Sequence, residues 1–158
     1  MSTIQLDFAA KKRFGLMFTD VDGTQNNEVF VIHRAPLSVH ERFLAFLIEH
    51  YAGKFPVWLS PVQVKVLPIT DTQNEYAQKV VGELKAAGIR VELEDRAERL
   101  NAKIRTAQME KVPYMLVVGG KEAEAGTVAV RSRDDGSQTV LPIGKFAQRV
   151  CNEVKLRS

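Results

Sequence analysis

Few side chains in this sequence are of kinds that do chemistry unaided, and that scarcity already excludes several chemistries. The single cysteine, Cys151, allows neither an internal disulfide framework nor an all-cysteine metal site within one chain. His33 lies in a predicted strand, where a lone histidine is more often a hydrogen-bonded core residue than a metal ligand. Arg42 falls on the first turns of a predicted helix. A guanidinium there, planar and permanently charged, could stack on adenine or pair with phosphate oxygens. The plainer reading is an exposed helical arginine. Residues 96–133 hold eight Lys/Arg (Arg96, Arg99, Lys103, Arg105, Lys111, Lys121, Arg131, Arg133) against four carboxylates (Glu98, Glu110, Glu122, Glu124). Such a local excess could guide a phosphate backbone onto one face, although charge alone favours a solvated surface.

The frame that must position these groups is a chain of 158 residues with 45% hydrophobic and 26% charged side chains. That balance suits a globular protein able to bury a core. The net charge of +3 is modest, and residues 1–54 carry six basic and six acidic side chains. The whole excess therefore belongs to residues 55–158. No apolar run approaches the length of a membrane span, and the opening MSTIQLDF lacks the features of a signal peptide. A reducing, cytoplasmic location is expected.

Two grammars follow one another. Thr3–Phe8 alternates Ile4, Leu6 and Phe8 with Gln5 and Asp7, the period of a half-buried strand. Leu16–Thr19 and Val29–His33 are further strands, with a turn through Asp22-Gly23, giving an expected antiparallel meander. Ser38 and Glu41 have the spacing of a capping box for a helix carrying Phe43, Phe46, Leu47 and Tyr51, stopped by Gly53. The segment Lys54–Pro61, bounded by prolines, reads as a connection.

From Val62 strands and helices alternate. Val62–Ile69 is a strand; Thr72 and Glu75 cap a helix with Tyr76, Val80, Leu84 and Ala87; Ile89–Leu93 is a second strand. A helix bearing Leu100, Ile104 and Ala107 leads to a third strand, Tyr114–Val118. This order predicts a parallel sheet. Thr127–Arg133 reads as an edge strand, and Leu141–Val154 as a last helix packing through Phe146, Val150 and Val154. The expected division is 1–54 and 55–158. The first part, three short strands and a helix, is too small to hold a comfortable core alone and reads as a piece of a larger sheet.

Two long segments carry a resemblance. Val31-Ile-His-Arg-Ala-Pro-Leu-Ser-Val-His-Glu-Arg-Phe43, with Leu47–Gly53 and Phe55–Val64, resembles the third class II signature of threonyl-tRNA synthetases and the passage to their anticodon domain. Ala87–Val91, Lys103-Ile-Arg105, Val112–Gly119, Lys121-Glu122 and Gly126–Arg131 are similar to the anticodon-binding domain of the same family. The resemblance implies an α/β fold: an anticodon-binding domain with a mixed, mainly parallel sheet flanked by helices. A partial antiparallel α+β catalytic segment would precede it.

The implied activity is attachment of threonine to its tRNA after activation by ATP with magnesium, in a homodimeric parent that does not use a membrane. Arg42 matches the family's nucleotide-contacting arginine, Gln5 a position lining the substrate pocket, and His33 the third of its zinc ligands. Zinc chelated by the amino group and hydroxyl of threonine would reject valine. The other two protein ligands have no match in this chain, so weak zinc binding at most is expected. Lys111, Lys121, Glu122 and Arg131 match positions near or facing the anticodon, where a carboxylate can accept from bases and an arginine can donate to a base edge. Ser38-Val39 stands where the family usually has Gly-Ser, and Ala97 and Asn101 replace its Asn and Gly. Two alternatives stay open: a freestanding synthetase-derived RNA-binding module without catalysis, and the anticodon domain of a prolyl, histidyl or glycyl enzyme.

Overall fold

Val64, Val66 and Leu67 are fully buried on the strand around which most of the chain is built. A computed structural model describes residues 3–134 and 136–157, which divide into two compact units, Met1–His50 and Tyr51–Ser158. Tyr51–Lys54 therefore belong with the second unit.

In the first unit, β1 (Thr3–Asp7) pairs antiparallel with β4 (Val31–Ala35), and β2 (Phe18–Thr19) pairs with β3 (Gln25–Asn26). These are two separate ribbons, not the single meander expected. A short helix, α1 (Ala10–Phe14), intervenes and was not foreseen; Asp7 starts it by accepting the Ala9 and Ala10 N–H groups, both at 2.9 Å. Helix α2 (His40–His50) is present, but the expected Ser38 cap is not. Ser38 has φ 62°, and its hydroxyl accepts from Arg42 Nη1 at 3.2 Å instead. The half-buried strand expected at Thr3–Phe8 is exposed on its apolar side, with Ile4 at 65%. Ala10 is the sole buried residue described in this unit.

In the second unit, β5 (Val64–Pro68), β6 (Val91–Leu93), β7 (Tyr114–Val118), β8 (Thr127–Ser132) and β9 (Gln138–Pro142) form one sheet in the order β6-β5-β7-β8-β9. β5 is parallel to β6 and β7, while β8 and β9 are antiparallel additions. β8 is thus interior. The edge is β9, in a stretch whose sequence carries little pattern.

Alternation along the strands builds two faces. Val64, Val66, Leu116, Val128 and Val130 pack with Ala77, Val80 and Leu84 of α3 (Asn74–Ala86) and Phe146 and Val150 of α6 (Ile143–Leu156). Leu67, Met115, Val117 and Ala129 pack with Ala107, Leu100 and Ile104 of α4 (Leu100–Met109). The expected cap of α3 lies two residues earlier: Thr70 and Gln73 form the box around a 3-10 turn, Asp71–Gln73.

The segment expected to be a plain connection is clamped to this unit. Arg133 Nη1 donates to the Phe55 carbonyl at 3.0 Å, Gln63 Nε2 to Val57 at 2.9 Å, and Arg90 Nη2 to Trp58 at 2.9 Å.

Candidate nucleic-acid interface

The strand order sets where a ligand would sit. After β5 the chain places β6 on one side and then crosses to β7 on the other, so the direction of winding changes between β5 and β7. In open α/β sheets the crevice beyond the carboxyl ends of strands at such a point is the usual binding place. Here that rim consists of residues 69–73 after β5, 94–99 after β6 and Gly119–Glu122 after β7.

The third of these segments is tightly specified. Helix α5 (Gly120–Ala125), missed from sequence, begins just past β7, and the Gly119 N–H donates to Glu122 Oε2 at 3.0 Å. A Cβ on Gly119 would stand 2.8 Å from that carboxylate oxygen and 2.8 Å from Ile69 Cδ1, so a larger residue would have to push both side-chain ends aside. Among the described residues, Glu122 has no hydrogen bond to its other oxygen. Lys121 is exposed beside it.

The segment after β6 is ordered by charge. Glu94 is buried, and its two oxygens accept from Arg96 Nε at 2.6 Å and Nη2 at 2.8 Å. That hydrogen-bonded pairing outweighs burial and holds the Glu94 carboxyl below its ordinary pKa. Lys65, also buried, stands 3.8 Å from Glu94 and contacts Glu110 more closely. No sequence signal marks Glu94 as a loop organiser: Arg96 is only two residues on, but the burial of Glu94 and the approach of Lys65 are set by the fold.

Arg131 occupies a different place. It pairs across the sheet with Met115 of β7 and Gln138 of β9, on the α4 side. Four residues along β8 from Thr127, it lies roughly 13 Å down the strand. Its Nε is buried without a hydrogen-bond partner among the described residues, an arrangement that a buried donor rarely tolerates. On the same face β9 leaves Val140 56% exposed.

Lys111 sits at the other end of β7, with left-handed backbone (φ 58°) and its ammonium donating to the Ala52 carbonyl. The structure thus brings Lys121 and Glu122 together and sets Arg131 and Lys111 apart from them. The basic excess in 96–133 is not one solvated surface either. Lys103 is buried, Arg96 is clasped by Glu94, and Arg133 donates to the Phe55 and Lys111 carbonyls.

In the first unit, Gln5 and His33 are direct cross-strand partners in the β1–β4 ribbon, hence on one face. His33 Nε2 is 3.8 Å from Asp7 Oδ2, both substantially exposed. Asp7 is held below its ordinary pKa chiefly by the Ala10 and Ala9 N–H groups. Among the described residues no group of three or more His, Cys, Asp or Glu could hold a metal ion. The described residues alone do not complete a zinc site. Arg42 lines a hollow of about 160 Å³ with Leu37, Ser38, Phe43 and Phe46, well below the roughly 300 Å³ at which small-molecule sites begin. These residues alone do not fit a nucleotide.

Comparison with known proteins gives the geometry its context. A family model described as the anticodon binding domain matches residues 63–153. The chain is 48% identical over 155 residues to the threonine–tRNA ligase of Clostridium perfringens strain 13, covering 98% of this chain and 24% of that protein. It is 49% identical over 156 residues to the threonine–tRNA ligase of Clostridium botulinum strain Okra, covering 99% and 24%. Among solved structures it resembles the RNA binding domain of threonyl-tRNA synthetase from Cryptosporidium parvum Iowa II, with TM-score 0.78 and 38% identity over 96% of this chain and 38% of that one. Prolyl-tRNA synthetase from the same organism shares the fold, at TM-score 0.67 and 24% identity, covering 99% of this chain and 36% of that one. The chain spans about a quarter of the length of the curated relatives it matches.

Proposed function

This chain belongs to the anticodon binding domain family, and from that premise we propose that it is the tRNA-reading portion of a threonine–tRNA ligase. The observation that carries this reading is the near-50% identity to such ligases across almost the whole chain, both units included. The Tyr51–Ser158 unit reads the anticodon. The Met1–His50 unit is the closing piece of a catalytic domain, its apolar side covered by further sheet of the same enzyme.

Single-stranded anticodon bases, splayed from their loop, offer both edges to protein groups. Glu122 already satisfies Gly119 with one oxygen and accepts from a base amino or imino group with the other. Arg131 brings a planar guanidinium that can donate to a base edge or a phosphate. Lys121 and Lys111 add positive charge for the phosphates. In the complete enzyme, Arg42 contributes to a nucleotide site for ATP with magnesium, Gln5 to the threonine pocket, and His33 a single ligand to zinc. The remaining groups of those sites come from other segments. The whole enzyme, a cytoplasmic homodimer, couples threonine to its tRNA; this chain alone performs no activation.

The test is a titration of a threonine tRNA anticodon stem-loop with the purified chain. Arg131→Ala weakens binding by about tenfold or more, the scale of one lost base contact. An unchanged affinity removes Arg131 from the site. Threonine-dependent pyrophosphate exchange is absent from the chain; measurable exchange defeats the assignment of an incomplete catalytic segment.

A further inference from the structure

The sheet opens at the carboxyl ends of β5 and β6, and a buried lysine closes the gap. Pairing of these strands ends at Val66↔Leu93, with the Glu94 N–H donating to the Val66 carbonyl at 2.9 Å. In a regular parallel ladder the next bond would run from the N–H of residue 68 to the Glu94 carbonyl. Residue 68 is proline and has no N–H. Lys103 of α4, 3% exposed, supplies the missing donor: its Nζ lies 3.2 Å from the Glu94 carbonyl and 3.2 Å from the Pro68 carbonyl.

The lysine completes this gap at the cost of a buried charge. Both partners are neutral carbonyls, and among the described residues Lys103 forms no ion pair. A buried ammonium is costly even where its N–H groups find carbonyl acceptors. What the ammonium provides is fixed geometry. It ties together the roots of two segments, 69–73 and 94–99. The first is joined to the root of the third, because the Ile69 N–H donates to the Val118 carbonyl at 3.0 Å and the Ile69 side chain lies beside Gly119.

We propose that Lys103 is a positioning residue for RNA recognition, holding the segments after β5 and β6 in register with Gly119–Glu122 by standing in for the hydrogen bond Pro68 cannot make. This rests on the anticodon-reading role proposed above. Lys103 touches no base itself; it sets the spacing of groups that do.

The experiment compares the whole chain with Lys103→Met and Lys103→Arg. Each is titrated with the threonine tRNA anticodon stem-loop and with the same stem-loop carrying a scrambled anticodon, at a temperature where circular dichroism shows full folding. Lys103→Met is expected to lower the ratio of the two affinities by about tenfold, the size of one or two misplaced hydrogen bonds. Lys103→Arg, which keeps charge and donors, holds the ratio within about threefold of the parent. A folded Lys103→Met with the parent's ratio overturns the proposal while leaving the RNA-reading role intact. A parent chain that binds both stem-loops equally overturns that role and this inference with it. Should Lys103→Met not fold, hydrogen exchange on the parent chain decides. The amides of 69–73 and 94–99 gain protection with the cognate stem-loop and not with the scrambled one; equal protection overturns the proposal.

Discussion

The two units carry similar kinds of residue and treat them in opposite ways. In Tyr51–Ser158 the apolar positions of strands and helices point at one another, and Val64, Leu84, Leu116, Phe146 and Val150 are completely buried. In Met1–His50 the apolar positions of β1, β4 and α2 are mostly turned outward, with Leu6 at 56% and Ile32 at 61% exposure. Alternation and helical stripes specify which side of an element is apolar. They do not supply the opposing layer, and an element without one is patterned but has no core.

The largest expected effect separates the units directly. Phe146→Ala removes a buried ring between α6 and the sheet and lowers unfolding stability by about 3–5 kcal/mol in denaturant titrations. Phe14→Ser, in the first unit, changes it by no more than about 0.5 kcal/mol. Equal losses would break the comparison.

A pH effect confined to the second unit comes next. Burial, reinforced by its hydrogen bonds to Glu153, pushes the Tyr114 hydroxyl up to about 12. A phenol whose folded pKa lies above its unfolded value of 10 contributes stability that is complete below pH 10 and lost as pH rises through 12. Stability should fall by about 2–3 kcal/mol across that interval, and Tyr114→Phe should remove this part of the slope.

Gly119→Ala pushes the ends of Glu122 and Ile69 aside, costs about 1 kcal/mol by thermal melting and lowers stem-loop affinity. Smallest is Lys111→Met, which removes an exposed hydrogen bond to the Ala52 carbonyl and costs no more than about 0.5 kcal/mol.

Much of the second unit was legible because its apolar runs are long and its punctuation strong. Tyr114–Val118 has the bounds read from sequence, and Gly88, with φ 80°, ends the turn after α3. β9 was missed because an exposed edge strand needs no apolar alternation: Gln138, Thr139 and Val140 are all exposed. β8 was placed at the edge for the same reason, its partner being invisible. Ser38 looked like a cap by type and spacing, but the hydroxyl is engaged by Arg42 and the backbone is left-handed. Among candidate site residues, the proximity of Lys121 and Glu122 follows from adjacency in sequence. The buried Nε of Arg131 and the Lys103 bridge depend on strand register and packing, which no local pattern encodes. Lys103 was counted with the surface charge because a lysine's burial cannot be read from its neighbours in sequence.

The central claim, that this chain reads an anticodon, is tested most directly by the affinity of the 158-residue chain for a threonine tRNA anticodon stem-loop relative to one with its anticodon bases permuted. Base reading of this kind predicts at least about tenfold discrimination, since each wrong base costs about 1–3 kcal/mol. Equal affinity for the two RNAs, falling in parallel with added salt, would mean that only phosphates are bound and would contradict the account.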